Sequence, residues 1–131
     1  MRRVLLIGVL AILLAACGGS TASLAGPTWT VTAMPGVDVQ PTVTITALFG
    51  SDGMVSGSGG CNNYSAAYTV NGSSLTIQAP AATMMSCPED INQQESDYFF
   101  LLEDAGAYEI KGDKLTIKDS DGQALLEYTS Q

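Results

Sequence analysis

The chain has no histidine, and its only two arginines are Arg2 and Arg3. Without an imidazole, the usual general base near neutral pH and the commonest metal ligand are both missing, so no Ser-His-carboxylate or Cys-His arrangement can be assembled. Beyond residue 16 the only cations are Lys111, Lys114 and Lys118; three lysines minus 13 acidic residues gives a formal charge of −10. Such a surface repels a phosphate backbone and excludes nucleic acid as a partner. Charge-driven adhesion to anionic lipid is disfavoured too, because it needs clustered Lys or Arg. No C-x-x-C pair is present, which removes the commonest redox motif. No apolar run reaches the roughly 20 residues that a membrane-crossing helix needs.

What the chain does have at its start is a basic Met1-Arg2-Arg3 followed by 13 uncharged residues, Val4 to Ala16. This is the form of a secretory signal peptide. Leu14-Ala15-Ala16-Cys17 resembles the lipobox cut by the lipoprotein signal peptidase, with small residues before the cut and a thiol able to take a diacylglyceryl group. An ordinary cleavage site that happens to contain Cys is the competing reading. The expectation is that residues 1–16 are removed and that Cys17 carries several acyl chains of the palmitate kind. A single chain anchors only marginally, and several anchor almost permanently. The chain would then stay in the cell envelope outside the cytoplasm, with the membrane as its first partner. Gly18 after the Cys points to the outer membrane in a cell that has one.

Residues 17–26 comprise the lipidated Cys and a run of Gly, Ser, Thr and Ala with one Leu, which reads as a flexible tether. Residues 27–131 remain, enough for one small domain with a single core. Cys61 and Cys87 are an even pair in a compartment that permits oxidation, so a disulfide is expected. Two buried thiols, or a metal or redox site, are the alternatives.

Most of the domain reads as short strands parted by glycine turns. Thr42 to Leu48 alternates Val43, Ile45 and Ala47 with threonines, the period-2 pattern of a half-buried strand. Ser51-Asp52-Gly53 is a turn into Met54 to Gly57. Tyr64 to Val70 and Leu75 to Gln78 flank Asn71-Gly72, a hairpin signal that tolerates two positive-φ positions. The pattern Y-x-[VI]-x-G-x-x-L-T-I occurs at Tyr68 to Ile77 and again at Tyr108 to Ile117, giving two similar hairpins. After the Asp121-Gly122 turn, Ala124 to Tyr128 is the last strand. One helix interrupts this series. Ser86 and Glu89 have capping-box spacing with Pro88 in the first turn; Ile91, Tyr98, Leu102 and Ala105 recur at helical period, Phe99 and Leu101 widen the stripe, and Gly106 ends it. The predicted fold class is α+β, mainly β: a small antiparallel barrel-like curved sheet with one amphipathic helix packed on it.

Several blocks, in order, resemble the META/HslJ domain family of envelope lipoproteins. They are Trp29, then Val55 to Tyr64 with its G-x-x-G-C-N-x-Y core, then Tyr68 with Leu75-Thr76-Ile77. Thr83 to Pro88 follows with its C-P pair, then Glu95 and Leu102, and finally Tyr108, Leu115 to Ile117 and Gly122. One departure is Asn63 followed by Tyr64-Ser65-Ala66, where the family often has Arg or Thr and then Gly. The resemblance implies a barrel-like sheet with a packed helix and a role in the envelope under stress, without implying a reaction.

The candidate site residues are weighed against plainer readings. Gly57, Gly59 and Gly60 form no phosphate loop, since no Lys follows, and they suit a bulge or close strand approach. Asn62 and Asn63 are expected to cap that turn and to form a rim that could touch a partner. Met84 and Met85 beside Cys87 are soft donors of the kind that select Cu(I), although methionines filling a core gap are more ordinary. No catalytic residue, metal or cofactor is assigned. Two functions remain: a monomeric, non-catalytic protein that binds an envelope protein, or a carrier of small hydrophobic ligands lined by Trp29, Tyr64, Tyr68 and Phe99. A barrel needs about eight strands before it can hold even one small ligand.

Overall fold

The computed structural model describes residues 23–131, so Cys17 and the signal peptide lie outside the described residues. Strands β1 (Thr28–Ala33), β2 (Thr46–Phe49), β3 (Met54–Ser58), β4 (Asn63–Asn71), β5 (Ser74–Ile77) and β6 (Ala81–Ala82) precede helix α1 (Glu89–Glu103). Strands β7 (Ala107–Lys111), β8 (Lys114–Lys118) and β9 (Ala124–Ser130) follow it. The sheet order is β3-β2-β1-β9-β8-β7-β5-β4-β6, and β3 also pairs with β4. Eight strands therefore close an antiparallel ring, with β6 lying outside it against β4. The predicted fold class is the one observed.

Closure in up-and-down order gives the barrel two distinct ends. Three tight turns, after β2, β4 and β7, share one end with both termini of the domain: Thr28 pairs with Leu48, Gly26 N donates to Phe49 O, and Ser130 N donates to Asp113 O. The connections after β1, β3 and β8, together with α1, occupy the other end. We call these the tether end and the helix end.

Inward positions fill the ring with apolar side chains. Trp29, Phe49, Val55, Leu75, Leu115, Ile117, Leu126 and Tyr128 are almost wholly buried. Trp29 donates its indole N–H to Leu24 O at 2.9 Å, which satisfies the one polar atom it brings into the core. Leu24 is itself buried, and Ala25 bridges Phe49, so packing begins within the segment expected to be tether. One apolar residue among small ones was enough to dock it.

The two repeated hairpins have the same register. Tyr68 faces Ile77 and Val70 faces Leu75, as Tyr108 faces Ile117 and Ile110 faces Leu115. Each loop is Gly-X, with Gly72 and Gly112 both at φ 61° and no non-glycine residue at positive φ among those described. Only one position per turn needs glycine, so the loop lies one residue later than Asn71-Gly72 suggests, with glycine first as in type II′ turns.

Three further expectations are corrected. The strand placed at Thr42–Leu48 is Thr46–Phe49, because Pro41 and Thr42 form a turn; Ile45 and Ala47 still point inward. The Ser86–Glu89 capping box is absent: the N-cap is Pro88, with no side-chain cap, and Asn92 instead bonds back to Cys87 N and Cys87 O. Strand β1 was not read from the sequence, where Trp29 stood as an isolated mark. Among the described residues no helix is long and apolar enough to cross a membrane. Outward positions such as Thr32, Ser56, Thr69, Thr76 and Glu127 are polar and exposed, unlike the lipid-facing band of a membrane barrel.

Candidate functional site at the helix end of the barrel

Helix α1 exists to close one mouth of the ring. Its inner stripe, Ile91, Gln94, Glu95, Tyr98 and Leu102, is buried, while Glu89, Asp90, Glu103 and Asp104 face solvent. Tyr98 is wholly buried. Its hydroxyl lies 2.8 Å from that of Tyr64 on β4 and 3.2 Å from that of Tyr128 on β9, and these strands stand opposite each other in the ring. Tyr64 OH donates in turn to Thr46 O at 2.9 Å. The three phenols thus span the interior as a hydrogen-bonded chain, each removed from water with a partner in place. Burial raises the pKa of all three well above the ordinary tyrosine value.

Glu95 is the second inward contact of the helix. One carboxylate oxygen accepts from Cys61 N at 2.9 Å and from Asn62 N, and the other accepts from Asn62 Nδ2 at 2.6 Å. Asn62 is buried as well. Its Oδ1 accepts from Thr83 Oγ1 at 2.9 Å and Met85 N at 2.7 Å, and its Nδ2 also donates to Met85 O. One Asn therefore holds the backbone of the segment before the helix while Glu95 holds Asn62. The expectation that Asn62 caps its own turn is corrected: it bonds across to the approaching segment.

The Cys61–Cys87 disulfide joins the same two segments, with Cα atoms 6.0 Å apart. Glycines make room for this cluster. A Cβ on Gly59 would lie 2.7 Å from Glu95 Oε2 and 2.9 Å from the Phe99 ring, and one on Gly57 would lie 2.1 Å from Thr46 O. Close approach is thus the reason for Gly57 and Gly59, while Gly60 has φ 110°.

The six interaction or lining residues named from sequence divide in two. Asn62, Asn63, Tyr64 and Phe99 meet at the helix end, where Phe99 packs against Tyr64 with ring centroids 5.3 Å apart. Asn63 is exposed, and its carbonyl accepts from Thr83 N. Trp29 and Tyr68 do not join them: Trp29 is core, and Tyr68 packs on Phe49 near the β2–β3 turn, donating to Gly50 O. The methionines expected in a core gap are on the surface, Met84 at 97% and Met85 at 62% exposure; Asn62 holds Met85 by its backbone N–H and carbonyl and Thr83 by its hydroxyl, and both methionine side chains face out. Phe100, on the outer face of α1, is 70% exposed. The roles of Tyr98, Tyr128 and Glu95 were not read from sequence, although Glu95 stands on the apolar stripe four residues after Ile91.

The molecule is thus a small, self-filled antiparallel barrel closed at one end by a disulfide-pinned helix. The META domain family model matches residues 22–131, and the chain belongs to that family. Among solved structures it is similar to a Burkholderia xenovorans protein determined by NMR, at 22% identity over 82% of this chain and 83% of that one, with a TM-score of 0.66. A DUF4847 family protein from Bacteroides vulgatus, determined by crystallography, is 14% identical over 81% and 93% of the two chains, with a TM-score of 0.62. These likenesses concern the fold alone. No curated relative matches the chain.

Proposed function

We propose that this protein is a lipid-anchored, non-catalytic META-domain protein that binds other proteins of the cell envelope and serves its maintenance under stress. The observation that carries this reading is where the polar groups of the helix end go. Of the three buried polar side chains there, Glu95 and Asn62 direct their bonds to one another, to backbone and to the Thr83 hydroxyl, and Gln94 accepts from Gln40 N, which is the pattern of a structural clamp. What the same end offers outward is apolar and acidic: Met84, Met85 and Phe100 amid Glu89, Asp90, Glu103 and Asp104. Exposed Met and Phe are the side chains that protein interfaces favour. No observation favours the carrier reading, since Trp29, Phe49, Tyr98 and Tyr128 occupy the space a ligand would need.

A photoreactive residue placed at Phe100 in intact cells tests the reading. Irradiation is expected to give discrete adducts with envelope proteins. Absence of protein adducts from both Phe100 and Met84 would overturn it.

A further inference from the structure

The closed topology fixes which end of the barrel faces the membrane. This inference rests on the anchoring of Cys17. Six residue steps separate Cys17 from Ser23, the first described residue, and at no more than roughly 3.5 Å per step they reach about 21 Å. Ser23 itself is three residues from Gly26, which donates to Phe49 O at the tether end. An anchor this short holds that end, and not the helix end, against the bilayer.

The same end carries an apolar rim that the fold leaves open. Leu48, Met54 and Val70 are 41%, 39% and 42% exposed, each within two residues of a tether-end turn. Leu48 pairs with Ser56 across β2 and β3, so Met54, two residues before Ser56, is its diagonal neighbour on the outer face. Val70 is the last inward position of β4, and its counterpart in the repeat, Ile110, occupies the same place in β7. Tyr68 and Tyr108 stand one layer deeper, partly exposed, and Lys111 and Lys114 flank the β7–β8 turn. The acids at this end, Asp52, Asp113 and Glu109, equal the lysines in number once Lys118, which reaches Glu109, is counted with Lys111 and Lys114, and Glu109 is paired with Lys111 and Lys118. The rim is therefore apolar with offset charge, suited to the acyl–headgroup boundary of a zwitterionic bilayer rather than to an anionic surface.

We infer that the tether end, through Leu48, Met54 and Val70, rests on the lipid surface and that the helix end consequently points away from it. The tether makes the contact intramolecular, so a rim too small to recruit a free protein is sufficient for an anchored one. The contact strength is set by apolar burial and does not depend on salt.

Amide exchange tests this on the full mature chain held by lipid at Cys17 on phosphatidylcholine vesicles, compared with the Cys17→Ser chain free in solution. The turns at Gly50–Gly53, Gly72–Ser73 and Gly112–Asp113 are expected to exchange at least about threefold more slowly on the vesicle, with Thr83–Cys87 and Glu103–Asp104 unchanged. Combined Leu48→Ser, Met54→Ser and Val70→Ser substitution should abolish the slowing. No slowing at the tether end, or slowing at the helix end, would overturn the inference. Equal slowing on concentrating the lipid-free chain would also overturn it, by assigning the rim to a second copy. Whether Cys17 is acylated at all is read separately, from the intact mass of envelope-purified protein. If it is not, a synthetic lipid coupled to the Cys17 thiol runs the same comparison, so the two readings fail independently.

Discussion

At the tether end, strands meet in short turns that put one glycine each at φ 61° to 82° and bring few side-chain hydrogen bonds, whereas the helix end gathers a disulfide, a buried carboxylate, a buried amide and three linked phenols. The difference follows from what each end must close. A two-residue hairpin satisfies its own backbone and leaves nothing to seal. A helix laid over an open mouth arrives by a long connection, Gln78 to Pro88, that is almost all exposed and has only the two-residue β6 as ladder. Side chains therefore do at the helix end what backbone does at the other.

This contrast predicts a gradient of mutational cost. Glu95→Ala should be the most damaging, at about 3 to 5 kcal/mol in denaturant unfolding, because it strips the acceptor from three donors, two of them buried. Next come Cys61→Ala and Cys87→Ala, each costing about 2 to 5 kcal/mol, with the double variant no worse than either single one since one bond is lost only once. At the tether end, Leu48→Ser, Met54→Ser and Val70→Ser should each cost under about 1 kcal/mol, being partly exposed and bonded to nothing. A tether-end substitution as costly as Glu95→Ala would break the comparison.

The tether end was also the more legible in sequence. Glycine turns and period-2 strands are local signals, and the repeat at Tyr68 and Tyr108 exposed two hairpins that share one register. The shift of one residue at Asn71-Gly72 shows the limit of such signals, because one positive-φ glycine sufficed. At the helix end the local signals misled. Ser86 and Glu89 have capping-box spacing, but the disulfide and the Asn62 clamp fix the chain before the helix, so the cap was not needed. Met84 and Met85 read as core fillers because hydropathy carries no information about which way a clamped backbone turns its side chains. Glu95 was readable in principle: a carboxylate on the buried stripe between Ile91 and Tyr98 must meet donors, and the sequence does not say that they come from Cys61 and Asn62, more than 30 residues earlier. The cysteine pairing was legible because parity and the compartment expected from the start of the chain left few alternatives.

The central claim, that the interior is closed and filled by its own side chains, is tested most directly by alkaline titration of tyrosinate absorbance. Tyr64, Tyr98 and Tyr128 have folded pKa values raised by burial above the ordinary value of 10.0, with neighbouring phenols adding to the rise at Tyr98. Their stabilising contribution is whole below pH 10 and is lost as pH climbs above it, because the unfolded chain then releases protons that the fold retains. With three such groups, stability should fall by about 4 kcal/mol per pH unit above that point, at roughly 1.4 kcal/mol per proton. The expected result is that at most two of the five tyrosines ionise while the fold is intact, and the other three ionise only together with unfolding. Reversible ionisation of four or five tyrosines in the folded protein would contradict the claim, showing a helix end open to water and an interior free to take a ligand.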